Sequence, residues 1–311
     1  MPQLDYNYNY NYNYSAGGQG GGGGLRTRPR FNTDIFALLI DTTQMVVPAP
    51  NAPGAGAAVA PTYPPYFPTN WDADLRACMY LDWFTTATPG WRARYGALLT
   101  TAPFRTPQSM TQAALQDQAV GILQLALERD DRFDEVIDQD DGEGAINYTL
   151  GMLKIDPARY SATNLMVRIG RRIGEHVVMC LKGDFMSPRP PQLCPAITPM
   201  IDPPLTPSYP AGHAVQSYLI AYLLGYCLQN LPQHNFPAAP TYANQASGSL
   251  FDLAARISQN RIVAGVHYPI DIEAGIAVAI ALFNDLQNVS QIWDAVTGLR
   301  PQVQKEFPQY V

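Results

Sequence analysis

The sequence predicts an all-α protein, a helical bundle that carries its chemistry at helix ends. Three observations lead there. Alternating runs of β-branched residues, the mark of strands, are scarce along the 311 residues. Apolar residues recur at fours, as in Leu165, Ile169, Ile173 and Val177. Basic residues and histidines gather where Pro and Gly interrupt the helical pattern, around Pro188–Pro190, Pro210–Gly212 and Gly265–Pro269.

The elements follow in chain order. Residues 1–30 differ from the rest. Tyr and Asn alternate from Tyr6 to Tyr14, a glycine run follows, and then Arg26, Arg28 and Arg30. A glycine run has nothing to bury, so this is read as a disordered tail. A second reading is a sticky arm that self-associates through its tyrosines. Residues 31–311 are expected to form a single α-helical catalytic domain. Asn32 to Val46 is its first ordered helix or strand, and Pro48 to Pro68 a Pro/Ala/Gly-rich wrap or linker. Trp71 to Phe84 reads as a helix, with Leu75, Met79 and Trp83 at fours. Pro107 to Leu127 is a second helical run, with Ala114, Leu115, Ile122, Leu123 and Leu127 as its apolar positions.

Arg129 to Gly144 is strongly charged and reads as a solvated loop; its aspartates miss the calcium-loop offsets. Ser161 to Leu181 is expected to be helical, with Arg171 and Arg172 facing water. Prolines at 188, 190 and 191 end it and open a proline-dense crossing to Pro210. Ala214 to Leu228 is a mostly apolar helix, Asn230 to Gly248 a loop, and Leu250 to Ala264 helical again. A last long helix starts near Pro269.

Composition limits the function. The chain is 47% hydrophobic, enough for a sizeable core, with formal net charge -6 and pI near 5.1. That balance argues against nucleic acid as a partner while leaving room for a local basic pocket that takes a small anion. Cys78, Cys180, Cys194 and Cys227 have no zinc or redox spacing, although a Cys180–Cys194 bridge is open in oxidising surroundings. No signal-like start is seen, and the best apolar run, Ala214 to Leu228, is too short to span a membrane. The expectation is a soluble, cytoplasmic protein.

Three segments then combine as one anion pocket. They are Lys182 with Arg189-Pro190, then Pro210-Ala211-Gly212-His213, then Arg261 with His267 and Asp271. Arg grips two oxygens of a phosphate-like group, and Lys adds a point charge. Gly212 lets the backbone approach a ligand, and amides at the start of a helix donate to anions. His213 is placed for proton transfer. His267 falls at the junction before the Pro269 helix, and Asp271, four residues on, is able to turn back towards it. A carboxylate on one ring nitrogen fixes the tautomer and leaves the other nitrogen free as nucleophile or ligand. His176 and His234 lack such surroundings and read as structural or surface residues. Tyr209 and Tyr268 adjoin the motifs.

These segments, K182GDFMSPRP190, P210AGH213 and N260RIVAGVHYPID271, resemble the signature of the type 2 phosphatidic acid phosphatase (PAP2) and vanadium-dependent haloperoxidase superfamily. The family pattern is Lys-x6-Arg-Pro, Pro-Ser-Gly-His, Ser-Arg-x5-His-x3-Asp. The resemblance implies a helical bundle of that type. It implies that Lys182, Arg189, Gly212 and Arg261 bind phosphate or vanadate. It makes His267 the nucleophile or the vanadium ligand, His213 the acid/base and Asp271 the orienter. Two positions depart. Ala211 replaces a serine, removing one hydroxyl donor whose loss is worth about 3 kcal/mol of transition-state stabilisation. Asn260 replaces another serine, and its amide is able to keep a structural hydrogen bond.

The leading expectation is hydrolysis of a phosphate monoester or diphosphate through a phosphohistidine, with no metal or cofactor. The alternative implied by the resemblance is halide oxidation by peroxide with vanadate as cofactor. A third reading is an anion-binding or assembly protein with weak catalysis, suggested by Ala211 and the N-terminal arm.

Overall fold

The computed structural model describes residues 72–157, 159–228 and 248–307. The expected tail, the Asn32–Val46 element, the Pro48–Pro68 wrap, the 230–248 loop but for its last residue, and His234 lie outside the described residues. Among those described, the regular structure is helical, with no strand.

Eleven helices are described: α1 Ala73–Ala87, α2 Trp91–Thr100, α3 Gln112–Leu125, α4 Arg129–Asp138, α5 Gly142–Met152, α6 Ser161–Phe185, the single turn α7 Pro190–Leu193, α8 Gly212–Leu228, α9 Ser249–Val263, α10 Pro269–Asn288 and α11 Ser290–Lys305. Two long helices make the centre. On α6 the stripe Leu165, Ile169, Ile173 and Val177 is fully buried, and α8 packs along it. Their approach needs small residues. A Cβ on Gly170 would lie 2.8 Å from the Ile220 side chain, and one on Gly174 3.3 Å from Gln216. Helices α9, α10 and α11 close around the other faces of α8, and α1 covers α6. This explains why α8 is apolar almost all round: it is enclosed by neighbours rather than amphipathic.

Several sequence expectations change. The Arg129–Gly144 segment is not a loop but α4 and the start of α5. Asp141 caps α5, accepting from the Gly144 amide at 2.6 Å. On α4, Arg132 and Val136 face inward one turn apart, so its charge-rich sequence hides a narrow buried edge. Arg171 and Arg172 do not face water. Their side chains are 17% and 15% exposed and pair with Asp74, Glu143 and Glu175. The Leu75–Met79–Trp83 stripe is not the fully buried face: Leu75 is exposed, Trp83 packs partly buried at the core's edge, and α1 buries Ala77, Tyr80 and Phe84. Leu123 and Leu127 are exposed, while Ile122 is buried. Helix α2 was not foreseen, and the helix beginning at Pro269 is followed by α11. All four cysteines are free thiols. His176 packs its ring 5.9 Å from that of Trp91, a structural placement.

Candidate active site

The site lies where four helix ends meet. Lys182 occupies the last turn of α6. The chain reverses at Met186, whose backbone is left-handed (φ 47°) and whose amide bonds the Lys182 carbonyl at 2.9 Å. That turn sends Arg189 back across the helix end. Helix α9 stops in a Schellman arrangement. The Val266 amide bonds the Arg261 carbonyl at 3.2 Å and the Gly265 amide bonds that of Ile262 at 2.8 Å. Gly265 supplies the positive φ of 80° which this stop requires. The next helix begins at Pro269, so His267 falls in the tight joint between α9 and α10.

Lys182, Arg189 and Arg261 are all at least 96% buried, yet most of their partners are neutral. Lys182 Nζ donates to the carbonyls of Pro207 and Ser208. Arg189 donates to the Thr206 carbonyl at 2.9 Å, to Thr206 Oγ1 at 3.2 Å and to the Val266 carbonyl at 2.8 Å. Arg261 Nη2 donates to the Val136 carbonyl at 2.9 Å, and its nearest carboxylate, Asp140, is half-exposed and 3.7 Å away. Burial pulls both arginines down to about 10, which leaves them cationic at neutral pH. Burial, and then the Arg189 charge, also lower Lys182.

His267 Nδ1 lies 3.0 Å from Asp271 Oδ2. A carboxylate only accepts, so Nδ1 carries the proton and Nε2 carries the lone pair. Nε2 sits 3.3 Å from Arg189 Nη1. Burial, and then the charges of Arg189 and Lys182, hold this imidazole well below its ordinary range. Asp271 Oδ2 also accepts from the Tyr268 amide at 2.9 Å and from the Ser208 hydroxyl. One carboxylate thus caps α10 and orients the histidine. Burial raises its pKa; the Ser208 and Tyr268 hydrogen bonds oppose that rise.

His213 stands in the first turn of α8. Its Nε2 is 2.8 Å from the Gln139 carbonyl, so that nitrogen bears the hydrogen and donates. Burial, then the Arg261 charge, push it down to about 3. Among the described residues, Lys182, Arg189, Gly212, His213, Arg261 and His267 line one cavity of about 220 Å³. Asp271 stands behind His267, off the cavity wall. Asp140, Arg171, Glu175 and Gln216 line it too. Ala211 does not; it is fully buried and its amide bonds the Asp271 carbonyl at 2.9 Å.

Sequence reasoning missed Ser208, Gln139 and Val136. Ser208 lies five residues before His213, but a serine in a proline-rich crossing gives no signal of its own. Gln139 and Val136 act through backbone carbonyls, which any residue possesses.

Among the described residues no group of three or more His, Cys, Asp or Glu is placed to hold a metal ion, and no helix is long and apolar enough to cross a membrane. No curated protein matches the chain. The family model described as the PAP2 superfamily matches residues 169–289, from the middle of α6 to the end of α10. This span contains all the signature segments and the joint that holds His267. The match to the PAP2 superfamily thus falls on the part of the chain that holds the site, and it supports a phosphatase-type activity at a coarse level.

Proposed function

We propose that the protein hydrolyses a phosphate monoester or diphosphate through a phosphohistidine on His267. The observation that carries this reading is the His267 ring. Its lone pair is fixed on Nε2 by Asp271 and adjoins a cavity lined by three cations held largely by neutral carbonyls. Lys182, Arg189 and Arg261 hold the phosphoryl oxygens and stabilise charge as it builds. Amides in the first turn of α8, at Gly212, lack intrahelical acceptors and add donors. His267 Nε2 attacks phosphorus, and the bond to the leaving oxygen breaks. In the empty pocket His213 is neutral; the incoming anion offsets the Arg261 field and lets the ring carry a proton. His213 gives that proton to the leaving oxygen, then takes one from the water that cleaves the P–N bond. Asp271 stabilises the cationic His267 ring throughout.

The same residues fit vanadate, with His267 Nε2 as its ligand and the three cations around its oxygens; bound there it would supply peroxide activation for halide oxidation. The test is direct. Wild type should hydrolyse an activated aryl phosphate, vanadate should inhibit it, and an acid-labile, base-stable phosphoryl adduct should be trapped and vanish in His267→Ala. Bromide oxidation at many turnovers per site on adding vanadate and peroxide, without phosphatase activity, would overturn the proposal.

A further inference from the structure

We infer that Gln139 is a positioning residue for His213, and that Asn260 holds it in place. The inference rests on the reading of His213 as the proton carrier. The contacts form an unbroken chain. His213 Nε2 donates to the Gln139 carbonyl at 2.8 Å. The Gln139 side chain is wholly buried, and its Oε1 accepts from Asn260 Nδ2 at 2.8 Å. Asn260 is itself fixed on both sides. Its Nδ2 also donates to Glu135 Oε2 at 2.9 Å, and its Oδ1 accepts from Arg132 Nη1 at 3.1 Å.

The backbone of Gln139 is the C-cap of α4, where no further helical turn holds a carbonyl in place. Its amide still bonds the Glu135 carbonyl at 3.0 Å, and the side-chain anchor on Asn260 completes the hold on that carbonyl. With the Asp141 backbone as a second acceptor beside the ring, the Gln139 carbonyl holds the imidazole as the Nε2–H tautomer, and Nδ1 is assigned to accept and return the proton. Arg261, next in sequence to Asn260, is tied to the same helix through the Val136 carbonyl. One helix end thus sets both the proton carrier and one phosphate clamp. Asn260 stands where the family pattern has serine. An amide, unlike a hydroxyl, offers two donor hydrogens and an acceptor, and here it meets Glu135, Gln139 and Arg132 together.

The experiment compares wild type with Gln139→Met, which keeps the volume and removes the acceptor, and with Asn260→Ser. Esters with poor leaving groups need His213 most. Both variants should lose about 10- to 100-fold in kcat/KM on an alkyl phosphate while staying within about threefold on an activated aryl phosphate. Equal losses on both esters would reduce Gln139 to a general structural role and overturn the inference. Nitrogen-15 spectra of the histidine rings give a readout independent of turnover. The chain has four histidines, so His213→Ala assigns the signal. Wild type should show the Nε2–H form and Gln139→Met a mixture. An unchanged signal in a folded Gln139→Met protein would sink the inference. Absence of phosphatase activity in wild type would sink the catalytic reading alone, because the ring spectra still test the tether.

Discussion

Two clusters of basic residues stand along α6, and their partners separate them. In the middle of the helix, Arg168, Arg171 and Arg172 meet carboxylates. Arg168 Nη1 lies 2.6 Å from Glu143, Arg171 Nη1 is 3.2 Å from the same residue, and Arg172 is 3.6 Å from Asp74 and from Glu175. At the helix end, Lys182 joins Arg189 and Arg261, and their hydrogen bonds go to the carbonyls of Pro207, Ser208, Thr206, Val266 and Val136. The nearby carboxylate of Asp271 is occupied by His267. A carboxylate cancels charge, whereas a carbonyl fixes the direction of a cation and leaves its field intact. The first cluster ties α6 to α1 and α5. The second stores positive potential in a buried cavity, a costly arrangement that an incoming anion would relieve.

The sharpest break in the comparison comes from removing one cation of each kind. Arg189→Met should lower kcat/KM on an aryl phosphate about 1,000-fold or more, since it removes a donor fork where charge develops. It should change Tm little, because loss of its hydrogen bonds to Thr206 and Val266 is offset by removal of an uncancelled buried charge. A large fall in Tm would show that the site arginines serve the fold as the paired ones do.

Next in size is the pH dependence of anion binding. Burial and Arg189 depress Lys182 below its usual 10.5. The unfolded chain therefore binds this proton over a window in which the empty folded protein does not, so the contribution of Lys182 to stability rises with pH across that window. Anion binding runs the other way, because phosphate needs the charged amine. The Tm gain from inorganic phosphate should shrink as pH rises through and above neutrality, by up to about tenfold in Kd per pH unit. Lys182→Met should bind more weakly and lose that slope. A wild-type affinity flat from pH 6 to 9 would show that Lys182 keeps its proton in the empty pocket.

The two clusters were unequally legible in the sequence. The site cations stand beside Pro188, Gly212, Gly265 and Pro269, residues whose backbone limits announce helix ends, so their convergence was readable. In the paired cluster, Arg171 and Arg172 were misread as solvent-facing. Asp74 lies almost a hundred residues before Arg171 and nothing local points to it, while the one local partner, Glu175 at i,i+3 from Arg172, fits a solvated helix face equally well. Helix α4 was hidden for a related reason. Its charged residues find partners in α9, as Glu135 does with Arg256 at 2.8 Å, and only Arg132 and Val136 turn inward. The Asp141 cap and the Glu128–Arg132 pair at i,i+4 were the available local signals.

A smaller effect is expected at the paired cluster. Asp74 faces Arg168, Arg171 and Arg172 at 3.4 to 3.7 Å and is partly shielded. Asp74→Asn should cost about 1 kcal/mol of stability, as removal of a partly exposed ion-pair partner does, and leave kcat/KM within about twofold of wild type. Activity lost without loss of stability would mean that the cluster tunes the cavity, whose wall includes Arg171 and Glu175.

The smallest effect belongs to Ala211, where the chain departs from the family pattern. Ala211 accepts the Val215 amide at 3.2 Å through its carbonyl, and so stands as the N-cap of α8. Alanine is a poor cap, and serine at such a position adds about 0.5–1 kcal/mol. The hydroxyl of Ala211→Ser has two capacities: its oxygen accepts from an orphan amide of the first turn, and its hydrogen remains to donate. The alanine is fully buried and off the cavity wall, and the backbone there is close to α10, where a Cβ on Gly275 would lie 2.8 Å from the Ala211 carbonyl. Ala211→Ser should therefore raise Tm slightly and raise kcat/KM on an aryl phosphate by less than tenfold. A neutral donor would add little if, as proposed, three oriented cations hold the oxygens. A gain of a hundredfold would mean that those cations leave an oxygen unserved, and the contrast between the clusters would then describe only part of the anion site.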